Sequence, residues 1–183
     1  QGEPFRLFAG NCVIQPPEIR HKVLYASDNI EVIEIGVPAE HVTTIDHNME
    51  LPTKEFNPER EFKGQKFVHN KATESTWSDF RIPGFICRDT TIADNTQNVA
   101  GVQVVKPNGA RIKPSSHDCD ILFNFVMEGK MTLTATGQPA NELNSGDAFV
   151  IPPNILTEYS NLSEDLELLE VSLPGRFKTH YDT

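Results

Sequence analysis

Gly10 to Pro38 reads GNCVIQPPEIRHKVLYASDNIEVIEIGVP, and Gly146 to Pro174 reads GDAFVIPPNILTEYSNLSEDLELLEVSLP. The two segments align without a gap at a constant offset of 136 residues. The opening Gly, the Pro-Pro pair, the Ser before an acidic turn, both Glu residues of the last strand and the closing Pro coincide. Other positions swap like for like, as Asn11 does with Asp147, Ile30 with Leu166 and Ile35 with Val171. A gapless match of this length marks a duplicated unit, and such repeats set the architecture before any local feature does.

Each unit reads as strand, turn, strand, turn, strand. Cys12 to Gln15 and Ala148 to Ile151 are short apolar runs ended by Pro-Pro, which cannot continue a ladder. Ser27-Asp28-Asn29 and Ser163-Glu164-Asp165 are polar turns. Ile30 to Ile35 and Leu166 to Val171 are rich in strand-favouring residues. Upstream of the second unit lie four further apolar runs: Lys130 to Thr136, Ile121 to Met127, Val99 to Val105 and Gly84 to Arg88. Glu128-Gly129-Lys130 suits a tight hairpin between the first two of these. No stretch keeps helical periodicity for three turns. The reading is all-β, a sandwich or jelly roll.

The chain of 183 residues carries 13 Pro and 11 Gly, consistent with many turns. Its net charge of −10 disfavours nucleic acid, whose affinity rests on Lys and Arg at phosphates. Three cysteines, Cys12, Cys87 and Cys119, form no CxxC pair and read as ordinary thiols in a reducing compartment. No apolar run approaches the ~20 residues of a membrane span, and none resembles a signal peptide. A cytoplasmic protein without membrane partners is expected. Gln1 stands where a Met would open a complete chain, which suggests missing upstream sequence.

The spacing around the repeats resembles the cupin superfamily, specifically a two-cupin protein or bicupin. The second cupin motif, with Gly, Pro, Gly, His and Asn at fixed intervals, falls on Gly10, Pro16, Glu18, His21 and Tyr25, then on Gly146, Pro152, Asn154, Thr157 and Asn161. The first motif, His-x-His followed by Glu and Gly, falls on Ser115, His117, Leu122 and Gly129. The resemblance implies a cupin jelly-roll β-barrel, one complete copy preceded by the C-terminal strands of a second copy. Residues 1–38 would end a first cupin truncated at its N-terminus and 39–65 would be a linker. Residues 66–175 would form the complete barrel and 176–183 a tail containing His180.

Cupin metal sites need about three ligands facing one point. The family positions here hold Ser115, His117, Leu122 and Thr157, so the resemblance implies an interior without a resident metal, able to accept a small molecule. His21 would be a metal ligand in a complete first cupin, for Fe, Mn, Ni or Zn, and His117 is the other imidazole at a ligand position. Asp118-Cys119-Asp120 reads as a solvated rim turn, His41 and His47 as surface residues, and His69 as a hydrogen-bonded structural residue. Glu31/Glu34 and Glu167/Glu170 occupy matching places, one of each pair facing inward.

Three functions follow from the resemblance. The first is a structural or small-ligand-binding half of a bicupin. The second is a metal-dependent dioxygenase or isomerase acting on a small organic acid, built around His21. The third is a regulatory cupin that binds a ligand without chemistry. The apolar residues of the first unit cannot stand in water, so they should pack on the barrel or on a second chain, as in a homodimer with exchanged N-terminal strands.

Overall fold

In the computed structural model, residues 2–42 and 45–182 are described. The strands are β1 (Cys12–Ile14), β2 (Glu61–Phe62), β3 (Gln65–Lys66), β4 (Val68–Asn70), β5 (Ser78–Asp79), β6 (Phe85–Asp89), β7 (Gly101–Pro107) and β8 (Ser115–His117). They continue with β9 (Ile121–Glu128), β10 (Lys130–Ala135), β11 (Asn141–Asn144), β12 (Ala148–Ile151), β13 (Thr157–Ser160), β14 (Glu167–Leu173) and β15 (Thr179–Tyr181). One α-helical turn, α1 (Ile92–Asn95), connects β6 to β7. Among the described residues no helix is long and apolar enough to cross a membrane.

Two antiparallel sheets build a jelly roll. One has the order β12-β9-β14-β7-β6-β5 and the other β11-β10-β13-β8-β15. Strand alternation sets the core. On β9 the side chains of Leu122, Asn124 and Val126 point inward, and on β14 those of Leu168, Glu170 and Ser172 do so. Phe85, Val105, Met131, Ile151, Tyr159 and Leu166 complete the packed interior.

The expected hairpin at Glu128-Gly129-Lys130 is instead the crossing from one sheet to the other. β9 pairs with β12 and β14, while β10 pairs with β11 and β13. Gly129 has φ 74°, and a Cβ there would lie 2.4 Å from Ser163 Oγ and 2.8 Å from the Leu166 backbone. Only glycine fits this corner.

The N-terminal unit repeats the turns of the C-terminal unit. Gly10 and Gly146 both have positive φ (81° and 94°), as do Glu18 and Asn154 (66° and 63°). Asn11 N donates to Phe8 O at 3.0 Å as Asp147 N does to Asn144 O at 2.9 Å. Ile30 N donates to Ser27 O at 3.3 Å as Leu166 N does to Ser163 O at 3.2 Å. β1 is the counterpart of β12.

The later strands of the N-terminal unit do not form. His21 makes a single parallel bridge to Ile45 where its counterpart Thr157 opens β13. Residues 30–35, expected as a strand, have no ladder, while their counterparts lie in or beside β14 between β7 and β9. A strand persists when its backbone groups find partners, and among the described residues no strand pairs with 30–35. Val23 is 76% exposed and Val32 72%, against 5% and 3% for their counterparts Tyr159 and Leu168.

What the unit does contact is the side of the barrel. β1 pairs with β4, so Val68–Asn70 lies outside both main sheets. The expected barrel start near residue 66 thus shifts to β5. Arg88, buried on the outer side of β6, donates to Asn70 Oδ1 at 2.9 Å and to Gly10 O at 2.8 Å. His69 stacks on Phe5 and meets Asn11 Nδ2 at 3.3 Å, in keeping with a structural role. The linker carries the β2–β3 hairpin and holds residues 20–22 through Asp46 N to His21 O and Lys22 Nζ to His47 O. The tail is not loose: β15 joins β8 at the edge of the second sheet.

Candidate functional site

β8 and β13 bring two of the motif positions face to face. Ser115 is the register partner of Thr157, and Thr157 Oγ1 donates to Ser115 O at 3.1 Å. His117, two residues along β8, points to the same interior side. Leu122 on β9 is the partner of Ile151 on β12. All four motif side chains are buried inside the barrel.

His117 is held from several directions. Its Nδ1 accepts from Cys119 N at 3.1 Å, so the neutral ring carries its proton on Nε2. Its carbonyl accepts from Asn154 N at 2.7 Å. The ring meets Phe177 edge-on, with centroids 5.8 Å apart. Burial pushes its pKa below the ordinary imidazole value, and the nearby Arg81 charge adds to this. The Ile151 carbonyl pulls the other way, although Nε2 has no partner in hydrogen-bonding geometry.

This donor set does not fit a metal. Leu122 offers no lone pair, the Thr157 hydroxyl is committed to a backbone carbonyl, and one imidazole remains. Among the described residues no three His, Cys, Asp or Glu side chains group so as to hold a metal ion. His21 lies in the N-terminal unit, with its Nδ1 buried and without a partner among the described residues. The rim turn is solvated only in part. Asp118 and Asp120 are exposed, but Cys119 is fully buried and its Sγ donates to Ile121 O at 3.0 Å and to Leu173 O at 3.1 Å.

Sequence reasoning missed the main interior feature. Arg81, in the loop between β5 and β6, reaches into the barrel and forms a two-point ion pair with Glu170. Nε lies 3.2 Å from Oε1 and Nη2 lies 2.5 Å from Oε2. Nη1 reaches Thr179 Oγ1 at 3.4 Å, and the Tyr181 hydroxyl donates to the Arg81 carbonyl. The guanidinium carbon lies 4.9 Å from the Phe80 ring centroid and 5.0 Å from that of Phe177. Asn124 stands directly across from Glu170, and its Nδ2 has no partner. A cavity beside Phe85, Asn124, Tyr159 and Glu170 is about 10 Å³, room for about one water. The available signals were the lone arginine in the run Phe80 to Ile86 and the inward-facing member of the Glu167/Glu170 pair.

The barrel has the cupin jelly-roll fold. Residues 101–172 match the family model described as Cupin domain. The polyketide cyclase RemF from Streptomyces resistomycificus is similar in fold, with TM-score 0.51 at 18% identity, over 62% of this chain and 83% of that one. Pac13 from Streptomyces, solved with uridine, gives TM-score 0.50 at 14% identity, over 62% and 89%. KdgF from Halomonas sp. gives 0.49 at 20% identity, over 58% and 94%. No curated protein sequence matches this one. At such identities the likeness concerns the fold.

Proposed function

We propose that this cupin-fold chain is the structural half of a bicupin: a filled barrel without a resident metal, joined to the closing strands of a partner cupin. The observation that carries the reading is the pair of Glu18 and Asn154, 136 residues apart, each in the left-handed conformation within matching turns. Both belong to the same cupin motif, so the N-terminal unit is read as the end of another barrel. Strands patterned like β7 to β10 would cover Val23, Val32 and Ile35. A second copy of this chain has those strands engaged in its own barrel, which favours a polypeptide extending beyond these 183 residues over an exchanged homodimer.

The test is metal analysis of the purified chain after growth with Fe, Mn, Ni and Zn. The reading expects well under a tenth of an equivalent of each. A stoichiometric metal that is lost in His117→Ala would contradict it.

A second reading places chemistry in the partner cupin. The buried, unpartnered Nδ1 of His21 favours it, because an orphaned buried imidazole nitrogen is costly unless a ligand satisfies it. In a completed first barrel His21 would be one ligand of a divalent metal, and the protein would be a metal-dependent enzyme. Metal bound by the longer polypeptide and lost in His21→Ala would support that assignment.

A further inference from the structure

We infer that the barrel interior is a receptacle built for a guanidinium group, and that Arg81 fills it as the chain's own ligand. This deepens the reading of the barrel as a filled, metal-free half and rests on it. Residues 170–179, some 90 positions along the chain, and the adjacent Phe80 converge on one planar cation. Glu170, whose side chain is 5% exposed, comes from the middle of β14. Phe177 and Thr179 come from the C-terminal strap, and Phe80 from the loop that carries Arg81. The carboxylate takes the guanidinium at two points, as a fork matches a fork. Two aromatic rings lie about 5 Å from its carbon, within cation–π range. Thr179 Oγ1 accepts from the remaining nitrogen.

This set selects its occupant. An ammonium ion has the charge but not the planar fork. A neutral urea has the plane but leaves Glu170 uncompensated, and an anion would meet the carboxylate head-on. With Arg81 in place the cavity beside Glu170 has room for about one water. Any other ligand must first displace this side chain, and the receptacle it would enter takes alkylguanidines.

Removing the internal ligand tests this. Arg81→Ala should bind ethylguanidine at one equivalent by calorimetry, and its Tm should rise by about 3 °C at tenfold excess over Kd. Ethylammonium and ethylurea at the same concentration should give no shift, and the unmodified chain should not respond to ethylguanidine. The double variant Arg81→Ala/Glu170→Gln should lose the response. A folded Arg81→Ala chain indifferent to ethylguanidine, or one whose response survives Glu170→Gln, would overturn the proposal. Should Arg81→Ala not fold alone, refolding in ethylguanidine but not in ethylammonium should recover native near-UV dichroism, and no recovery would overturn it. Metal content, measured on the same samples, reports separately on the metal-free reading.

Discussion

Thr157 and Ser115 are register partners across β13 and β8, and the Thr157 hydroxyl donates to the Ser115 carbonyl at 3.1 Å. Two positions where a cupin metal site would place imidazoles are thus joined by a hydroxyl-to-backbone bond. Thr157→Val keeps the shape and removes the donor, so it should lower unfolding free energy by about 1 kcal/mol. Urea unfolding would read this as a lower midpoint with unchanged slope.

Leu122 is fully buried against Ile151, at a position where the motif has a carboxylate. Leu122→Ala should cost about 2–5 kcal/mol, the range for a large core truncation. Leu122→Glu should be worse, since the carboxylate would be desolvated beside Ile151 while Arg81 is already paired with Glu170. Circular dichroism should show Leu122→Ala folded and Leu122→Glu largely unfolded.

Arg88 fastens the N-terminal unit to the barrel through Gly10 O and Asn70 Oδ1. Arg88→Met keeps an apolar side chain of similar length and loses both bonds. Charged hydrogen bonds are worth about 1.5–3 kcal/mol, so the β1–β4 ribbon should open about ten- to a hundredfold more often. Cys12, half-buried on β1, reports this directly. Its labelling by a thiol reagent should accelerate by that factor, while labelling of buried Cys87 and Cys119 should not change.

His117 makes stability depend on pH. Burial, reinforced by the Arg81 charge, holds its folded pKa below the ordinary value of about 6.5. The unfolded chain therefore binds the proton more readily. The stability contributed by neutral His117 is complete above about pH 6.5 and is lost as pH falls from there toward the folded pKa. Between pH 7 and 5 the stability advantage of the native chain over His117→Gln should shrink steadily. An advantage that grew on acidification would contradict the direction of the shift.

The repeat made the fold legible because Gly, Pro-Pro and acidic-turn positions encode turn geometry locally, and those turns recur at both ends of the chain. The strand expected at Ile30 to Ile35 failed for the complementary reason: its sequence suits a strand, but a ladder requires neighbours, and none pairs with it among the described residues. The sheet crossing at Gly129 was misread because a glycine turn between two strands looks the same whether the strands pair or part. Ser115, His117, Leu122 and Thr157 were placed inside the barrel through the resemblance of their spacing to the cupin motifs. Arg81 was not, since no local pattern tells a loop arginine that it will meet a carboxylate 89 residues later.

Hydrogen exchange of residues 23–37 tests whether residues 10–38 are the end of an incomplete cupin. The measurement compares this chain with the polypeptide encoded by the entire reading frame. Rapid exchange is expected in this chain, where Val23 and Val32 are exposed and outside any ladder. If the reading frame encodes further cupin strands, protection approaching that of residues 159–173 is expected in its product. Equal, rapid exchange in both would show that the N-terminal unit never enters a barrel. Strong protection in this chain alone, with a dimeric mass by light scattering, would assign the covering strands to a second copy.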